Sequence, residues 1–470
     1  MPHTIAQEPD LLQLILVFIV GALLAALANC CVDRLDWVQR FRSPWRPFPK
    51  DIREKGITPK RTWSDRIPVW GWVRLSRFAF ENTKNDQKNL AGKKHSSPDS
   101  STYAYAWIPG WESRFFWVRP ALVEIFFAFL ITWRFNYWAS LLGDAPCGPF
   151  SLALVVWIGE TLLFWLALAA SLVDLDDYVI PDALILPGVI LALAFAAAVP
   201  RALAPPINMP IIWPLDLAGE QGTFSFAAFA ANLLQCNDLE PTLNAVRVLV
   251  GGVLTLVWSF WAFAVLDRRF YWRFGFKRAC ALFFRRIRRS VLTPYVVAFW
   301  VVGLMAIWGV VWNCASLARE NAYSFNSLDA LANAFVGLLV GAGLIWMVRL
   351  IGGLALGVEA MGFGDVVLTA MLGAFIGWQG VVAVFFLAPF FGLVFGLLRR
   401  WVNTAPEIPY GPFLCLATLL YVIRREQFNA LLAPYFGDPL FVLALGCVGF
   451  GLLAAALFAL RLFKRMRNRG

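Results

Sequence analysis

The chain of 470 residues is too apolar for a soluble protein, since 60% of its residues are hydrophobic and 16% are aromatic. Repeated long apolar runs are typical of a polytopic membrane protein. The net charge of +11 lies mainly in loops between these runs, which indicates cytoplasmic connections and not a nucleic-acid partner. Eight scattered cysteines without a Cys-x-x-Cys pair, and two histidines, predict neither a zinc site nor a disulfide framework.

The N-terminal part is predicted to contain one membrane helix followed by a basic loop. Residues 1–32 carry the first apolar run, which no Lys or Arg precedes, so we expect a retained helix and not a signal peptide. Residues 33–117 begin with many arginines and lysines, which predicts a cytoplasmic loop region. Within that loop, residues 63–77 are rich in Trp and Arg and are expected to fold or to lie on the membrane. The polar stretch 81–102 predicts disorder.

Residues 118–470 are predicted to form the helical core in the membrane. The apolar runs that predict its crossings are 118–142, 150–173, 183–199, 248–266, 291–314, 331–356, 366–378, 380–398, one beginning within 407–414, and 439–460. The prediction is therefore an all-α polytopic membrane helical bundle of about eleven transmembrane helices, with residues 248–314 as an inserted hairpin. The basic connection inside that hairpin predicts contact with anionic lipid headgroups, and the mildly acidic segment 200–244 predicts the outer side.

Acidic residues near the predicted cytoplasmic face are the first candidates for function. Glu124 lies inside the second predicted helix, where a carboxylate is costly and therefore indicates function or helix pairing. Four aspartates follow the third predicted helix, namely Asp174, Asp176, Asp177 and Asp182. Pro181 and Asp182 suit the first turn of a helix. That explanation fits Asp182 but not Asp174, because a neutral polar residue would serve equally well at the end of a helix.

A second acidic position follows two glycines much later in the chain. Gly362 and Gly364 permit a tight turn and a close approach of another element, because glycine has no Cβ. Asp365 then stands at the start of an apolar helix, where it either caps the helix or carries chemistry. Counting the predicted crossings places Asp174 and Asp365 on the same, cytoplasmic face.

Three stretches carry a family resemblance, namely DLDDYVIPD, EAMGFGDVVLTAMLGAFIGWQ and EIPYGPFLCL. They resemble the type IV prepilin leader peptidases, membrane aspartic proteases of the Gly-x-Gly-Asp class, and GALLAALANCCVDRL, WSDRIPVWGW and RPALVE support the match. The resemblance implies that Asp174 and Asp365 form the catalytic pair. The residues expected to support the site are Gly362, Gly364, Pro181, Asp182 and Glu124.

The resemblance also implies the reaction and its setting. The expected activity is removal of the basic leader from type IV prepilins or pseudopilins, at the cytoplasmic face of the inner membrane, for pilus assembly or type II secretion. Two neighbouring carboxylates cannot both stay ionised cheaply, so they share one proton and can act as base and acid together. No cofactor and no nucleic acid are expected.

The chain departs from the family pattern at several positions. Relatives that also methylate the new N-terminus usually carry two Cys-x-x-Cys pairs near the loop, which this chain lacks, so S-adenosylmethionine is expected only if methylation is retained. Val367 replaces a common Lys, and Asp36 replaces a common Pro. In place of a metal, aromatic contacts are expected to hold the loop, from Trp63, Trp70, Trp72 and Trp117.

Two other functions are compatible with the same sequence features. A proton-coupled transporter could employ Glu124, Asp174 and Asp365 as a relay. An inactive scaffold of a pilus or secretion machine would need no chemistry from them. A relay should reach the middle of the membrane, whereas both aspartates are predicted at one face, which favours the peptidase.

Overall fold

The fold is helical throughout the described part of the chain. The computed structural model describes residues 9–35, 40–48, 50, 62–77, 115–142, 152–198, 322–356, 361–401, 409–436 and 439–467, with scattered positions from 248 to 308. No strand occurs among these residues, which confirms the all-α prediction. The stretches predicted as disordered, 81–102, and as an outer segment, 200–244, lie outside them.

The first of two compact units comprises Met1–Leu184 and Glu407–Pro412. It contains α1 (Leu11–Leu35), a 3₁₀ turn (Trp63–Arg66), a short helix over 70–77, α2 (Val118–Leu142) and α3 (Leu152–Asp177). Helix α1 approaches α2 closely at Gly21, where a Cβ would lie 2.7 Å from Ile131 Cδ1. A buried apolar cluster lies where α1 and α3 end, and it is formed by Val32, Leu172 and Val173. The first unit is thus organised around its three long helices.

The second unit comprises Ile185–Pro406 and Phe413–Gly470. Its helices are α4 (Asp182–Ala198, begun in the first unit), α5 (Ala322–Leu356), α6 (Phe363–Trp401), α7 (Gly411–Ile423), α8 (Arg425–Phe436) and α9 (Pro439–Arg467). Helices α5 and α6 touch through their backbones, because a Cβ on Gly373 would collide with the carbonyl of Gly337. Small residues at such contacts let membrane helices pack closely.

Four described helices are long and apolar enough to cross a membrane, which confirms a polytopic membrane protein. They are Leu11–Leu35, Leu154–Asp177, Asn333–Ala355 and Phe363–Leu398. The last is interrupted at Gly377, whose φ of 75° is left-handed. This residue is one position before the predicted end of the crossing 366–378. Helix α8 was not predicted, and α9 continues through the basic tail to Arg467. The total of about eleven stays a prediction.

The predicted hairpin of residues 248–314 is described only at scattered positions. Trp258 Nε1 donates to the carbonyl of Trp300 at 2.9 Å, and Trp308 Nε1 donates to Thr255 Oγ1 at 3.1 Å. The residue that comes later in the first segment, Trp258, contacts the residue that comes earlier in the second, Trp300, and Thr255 contacts Trp308. This order is that of an antiparallel pair. The interpretation of this hairpin as an insertion stays a prediction.

Candidate active site

Asp174 lies in the last turn of α3 and is the central candidate of the first unit. The helix continues to Asp177, four residues beyond the predicted run 150–173, so it includes Asp176 and Asp177, which were predicted to follow it. Asp174 is only 5% exposed, and its Oδ2 has no hydrogen-bond partner among the described residues. A buried carboxylate oxygen without a partner is costly and calls for a functional or structural explanation.

The helix ends immediately after this turn at a residue with a left-handed backbone conformation. Tyr178 has a φ of 56°, and its backbone N–H donates to the carbonyl of Asp174 at 2.9 Å. A non-glycine residue in this region is uncommon, and such residues cluster at functional sites. Pro181 then accepts a hydrogen bond from Leu184 N–H at 3.1 Å, and Asp182 begins α4, as predicted for a Pro-Asp helix start.

Gly411, the first residue of α7, contacts Asp174 within the same unit. Its backbone N–H donates toward the Asp174 carboxylate. A Cβ at Gly411 would lie 2.5 Å from Asp174 Oδ2, so only glycine fits beside this carboxylate. Gly411 lies in the stretch EIPYGPFLCL that carries the family resemblance, but it was not predicted as part of the site.

Asp176 and Asp177 are neutralised by arginines of the loop and of α2. Arg42 donates to Asp176 at 2.7 Å and to Asp33 at 3.1 Å, and so connects the ends of α1 and α3. Arg119 approaches Asp176 at 2.5 Å, and Arg40 approaches Asp177 at 3.0 Å. These ion pairs give both aspartates a structural role.

The guanidinium of Arg42 is held charged by this arrangement. Burial by itself would lower the pKa of Arg42, but the charges of Asp33 and Asp176 and their hydrogen bonds raise it above its ordinary value. Arginines at a predicted cytoplasmic loop were expected only to orient the chain. The structure adds that they order the end of the helix that carries Asp174.

Glu124 fastens the loop to the helices. It is 1% exposed and accepts hydrogen bonds from Trp72 Nε1 at 2.8 Å, Asn29 Nδ2 at 3.2 Å and Val69 N–H at 2.6 Å. Val69 has a φ of 61°, a genuine outlier for a β-branched residue. Of the two roles predicted for Glu124, function or helix pairing, these contacts show helix pairing, because Glu124 of α2 binds Asn29 of α1. They also bind the loop through Val69 and Trp72.

The prediction that tryptophans hold the loop is correct only in part. Trp72 is 1% exposed and bonded to Glu124, whereas Trp63 is 78% and Trp70 52% exposed. Trp117 is half-buried. Polar contacts act as well: Asp65 accepts from Thr62 N–H at 2.6 Å and pairs with Arg74 at 3.2 Å. Exposed Trp63 and Trp70 cannot hold the loop by packing within this unit.

A charged pair that was not predicted from the sequence lies between α2 and α3. Arg134 donates to both carboxylate oxygens of Glu160, at 2.8 and 2.7 Å, and Trp138 Nε1 donates to Glu160 at 2.9 Å. Fully partnered charges of this kind join helices structurally. They do not extend the candidate site.

Asp365 is the candidate of the second unit and lies in the first turn of α6, as predicted. It is 9% exposed, and Thr369 Oγ1 donates to its carbonyl at 2.7 Å. A Cβ on Gly362 would lie 3.5 Å from Asp365 Oδ2, an ordinary contact distance. Gly364 forms part of the first turn, and Val367 is buried.

A buried arginine side chain lies near this turn. Arg349 of α5 is 7% exposed, and its Cζ lies 5.4 Å from the centre of the Phe363 ring. Phe363 is two residues before Asp365, so the contact links α5 to the turn that presents the aspartate. Since Asp174 belongs to the first unit and Asp365 to the second, their pairing stays a prediction.

No group of three or more His, Cys, Asp or Glu residues that could hold a metal ion occurs within the described ranges. The site described there consists of single buried carboxylates with backbone, hydroxyl and arginine neighbours. Such groups can bind water and move protons without further ligands. The class defined by fold and site is a helical membrane protein with buried aspartates at helix ends.

Comparisons with known proteins show which proteins this chain is similar to. Residues 290–397, which include Asp365, match the model of the Type IV leader peptidase family. The prepilin leader peptidase/N-methyltransferase of Aeromonas salmonicida (strain A449) is 41% identical over 93 residues, 19% of this chain and 30% of the relative. That of Stutzerimonas stutzeri is 34% identical over 110 residues, 23% and 38% of the two chains.

A longer match extends over more of the sequence. The type 4 prepilin-like proteins leader peptide-processing enzyme of Escherichia coli O78:H11 (strain H10407 / ETEC) is 26% identical over 210 residues, 41% of this chain and 67% of the relative. No solved structure matches the chain. The predicted resemblance to the type IV prepilin leader peptidases is confirmed. The chain spans 30% to 38% of the length of the first two relatives.

Proposed function

We propose that this chain is a membrane aspartic endopeptidase that removes the basic leader from type IV prepilins or pseudopilins. The observation that carries the proposal is the buried carboxylate of Asp174, whose Oδ2 has no hydrogen-bond partner among the described residues. An oxygen in this state is poised to accept a proton from a water molecule. The family match covers the stretch that contains Asp365, which supports Asp365 as the second carboxyl of the proposed pair.

In the proposed reaction the two aspartates share one proton. The ionised carboxylate takes a proton from water as the water oxygen attacks the scissile carbonyl, and the protonated carboxyl donates a hydrogen bond to the carbonyl oxygen. Collapse of the tetrahedral intermediate breaks the C–N bond, and the departing amine takes the proton from an aspartic acid. The pairing of Asp174 with Asp365 rests on the resemblance.

The proposed setting is the cytoplasmic face of the inner membrane. Support comes from Arg40, Arg42 and Arg119, which cluster at the end of α3 that carries Asp174. Positive charge marks cytoplasmic connections. A substrate with a basic leader in the cytoplasm and an apolar helix in the bilayer suits this location. The other proposed partners are the lipid bilayer and its anionic headgroups, without nucleic acid.

The proposed peptidase step needs no cofactor. The relatives' name includes N-methyltransferase, and S-adenosylmethionine would act here only if that second activity is retained. Mass spectrometry of a processed pilin N-terminus distinguishes a methylated from a free amine. Elemental analysis of the purified protein should find no stoichiometric zinc, and one zinc per chain would contradict the proposed metal-free loop.

The test is co-expression with a prepilin that carries a basic leader. Wild type should shorten the prepilin, and Asp174→Asn and Asp365→Asn should each reduce the rate by about 10²–10⁴-fold, because an amide cannot exchange the shared proton. Asp182→Asn, at the start of α4, should lose less. Wild-type-like processing by either Asn variant, with normal amounts in the membrane, would refute the assignment.

A further inference from the structure

We propose that Gly411 is a positioning residue for Asp174, an inference that rests on the proposed function. Gly411 opens α7, a helix of 13 residues, and lies in the first unit with Asp174. A Cβ at this position would lie 2.5 Å from Asp174 Oδ2 and 3.3 Å from its Cγ. Since real Cβ atoms avoid such distances, any side chain here would displace the carboxylate.

The backbone of Gly411 also supplies a hydrogen-bond donor. The first N–H groups of a helix have no partner within the helix, and that of Gly411 is directed toward the Asp174 carboxylate. The carboxylate therefore lies against the first backbone groups of α7, and its Oδ2 has no hydrogen-bond partner among the described residues. This arrangement fixes the orientation in which Oδ2 meets a water molecule or a substrate.

Asp174 is 5% exposed, and its backbone is held at the end of α3. The turn behind it is closed by Tyr178, whose N–H donates to the Asp174 carbonyl at 2.9 Å. On another side, the same Cβ would lie 3.2 Å from Ile180 Cδ1. The absence of a side chain at Gly411 thus determines where the Asp174 carboxylate can lie.

The primary test compares Gly411→Ala with Gly343→Ala in processing of a prepilin by purified enzyme. Gly343, in α5, has nothing within 4 Å of its Cβ position, so its substitution should leave activity unchanged. Displacement of a reacting group by about 1 Å reduces rates by about 10²-fold. Gly411→Ala should therefore lower kcat by about that factor, with KM within about twofold of wild type.

A second variant separates positioning from packing. Ile180→Val removes the Cδ1 atom that the new methyl would meet. If Gly411→Ala acts through Asp174, adding Ile180→Val will not restore kcat. Restoration would overturn the inference, as would a Gly411→Ala enzyme that behaves like Gly343→Ala or that changes only KM. A wild-type protein that cleaves no prepilin would instead refute the proposed function.

A readout without activity keeps the inference testable if Gly411→Ala accumulates poorly. Asp174→Ala removes the nearest neighbour of the added methyl, Oδ2. The double variant Asp174→Ala/Gly411→Ala should then recover the thermal stability and membrane level of Asp174→Ala alone, because interacting sites are non-additive. Additive losses would overturn the contact on which the inference depends.

Discussion

Glu124→Gln is expected to release the loop from the helices while leaving the shape of the side chain almost unchanged. Glu124 Oε1 accepts from Asn29 and Trp72, and Oε2 accepts from Val69 N–H at 2.6 Å. A glutamine offers one acceptor oxygen and one NH₂ donor. Its best orientation keeps the two bonds at Oε1 and turns NH₂ toward Val69, where two donors then face each other.

The magnitude follows from these three bonds. A hydrogen bond to a charged group contributes about 1.5–3 kcal/mol, and a buried donor left unpaired costs about 1–3 kcal/mol. Loss at Val69 also removes the bond that holds its φ of 61°, a conformation costing about 1–3 kcal/mol. We therefore expect Glu124→Gln to weaken docking of residues 62–77 by about 2–4 kcal/mol. Glu124→Ala should weaken it more, because Trp72 also loses its acceptor.

The assay is amide hydrogen exchange of the purified protein in detergent, with limited trypsin digestion at Arg74 and Arg77 as a second measure. Weakened docking by about 2–4 kcal/mol predicts faster exchange over residues 70–77 by more than about tenfold. Glu426→Gln, at an exposed glutamate of α8, is the matched control. Unchanged protection in Glu124→Gln would refute the reasoning that this carboxylate fastens the loop.

Three other predictions follow from the same packing. Asp176→Asn should lower thermal stability more than it lowers the catalytic rate, because it removes the carboxylate that pairs with both Arg42 and Arg119. A loss of activity as complete as that of a proposed catalytic residue would contradict this. Gly373→Ala should destabilise the α5–α6 contact by about 1–3 kcal/mol, because the added methyl group overpacks it. In the same thermal unfolding assay Gly396→Ala should be neutral, since nothing lies within 4 Å of a Cβ placed there. A cysteine at Ser290 should be protected from an impermeant thiol reagent added outside, and one at Ser225 should react; the reverse would overturn the predicted topology.

The sequence by itself determined where several of the helices lie. Apolar length against the thickness of the bilayer predicted a second helix over 118–142, and the structure has α2 at Val118–Leu142. Glycines and a following aspartate predicted the start of α6, and the left-handed Gly377 divides that helix close to the predicted boundary. These features are local, because hydropathy, backbone freedom and helix capping depend on neighbouring residues. The family motifs are equally local, which is why the resemblance could be stated from sequence.

Only the tertiary structure decided which polar groups meet. Nothing in the sequence links Glu124 to Val69 and Trp72, or Arg42 to Asp33 and Asp176, because each pair depends on how separate helices and the loop pack. The exposure of Trp63, predicted to hold the loop, was decided in the same way, since aromatic character does not tell which face a side chain occupies. The contact of Gly411 with Asp174 joins residues more than two hundred positions apart, and only the folding of the first unit brings them together.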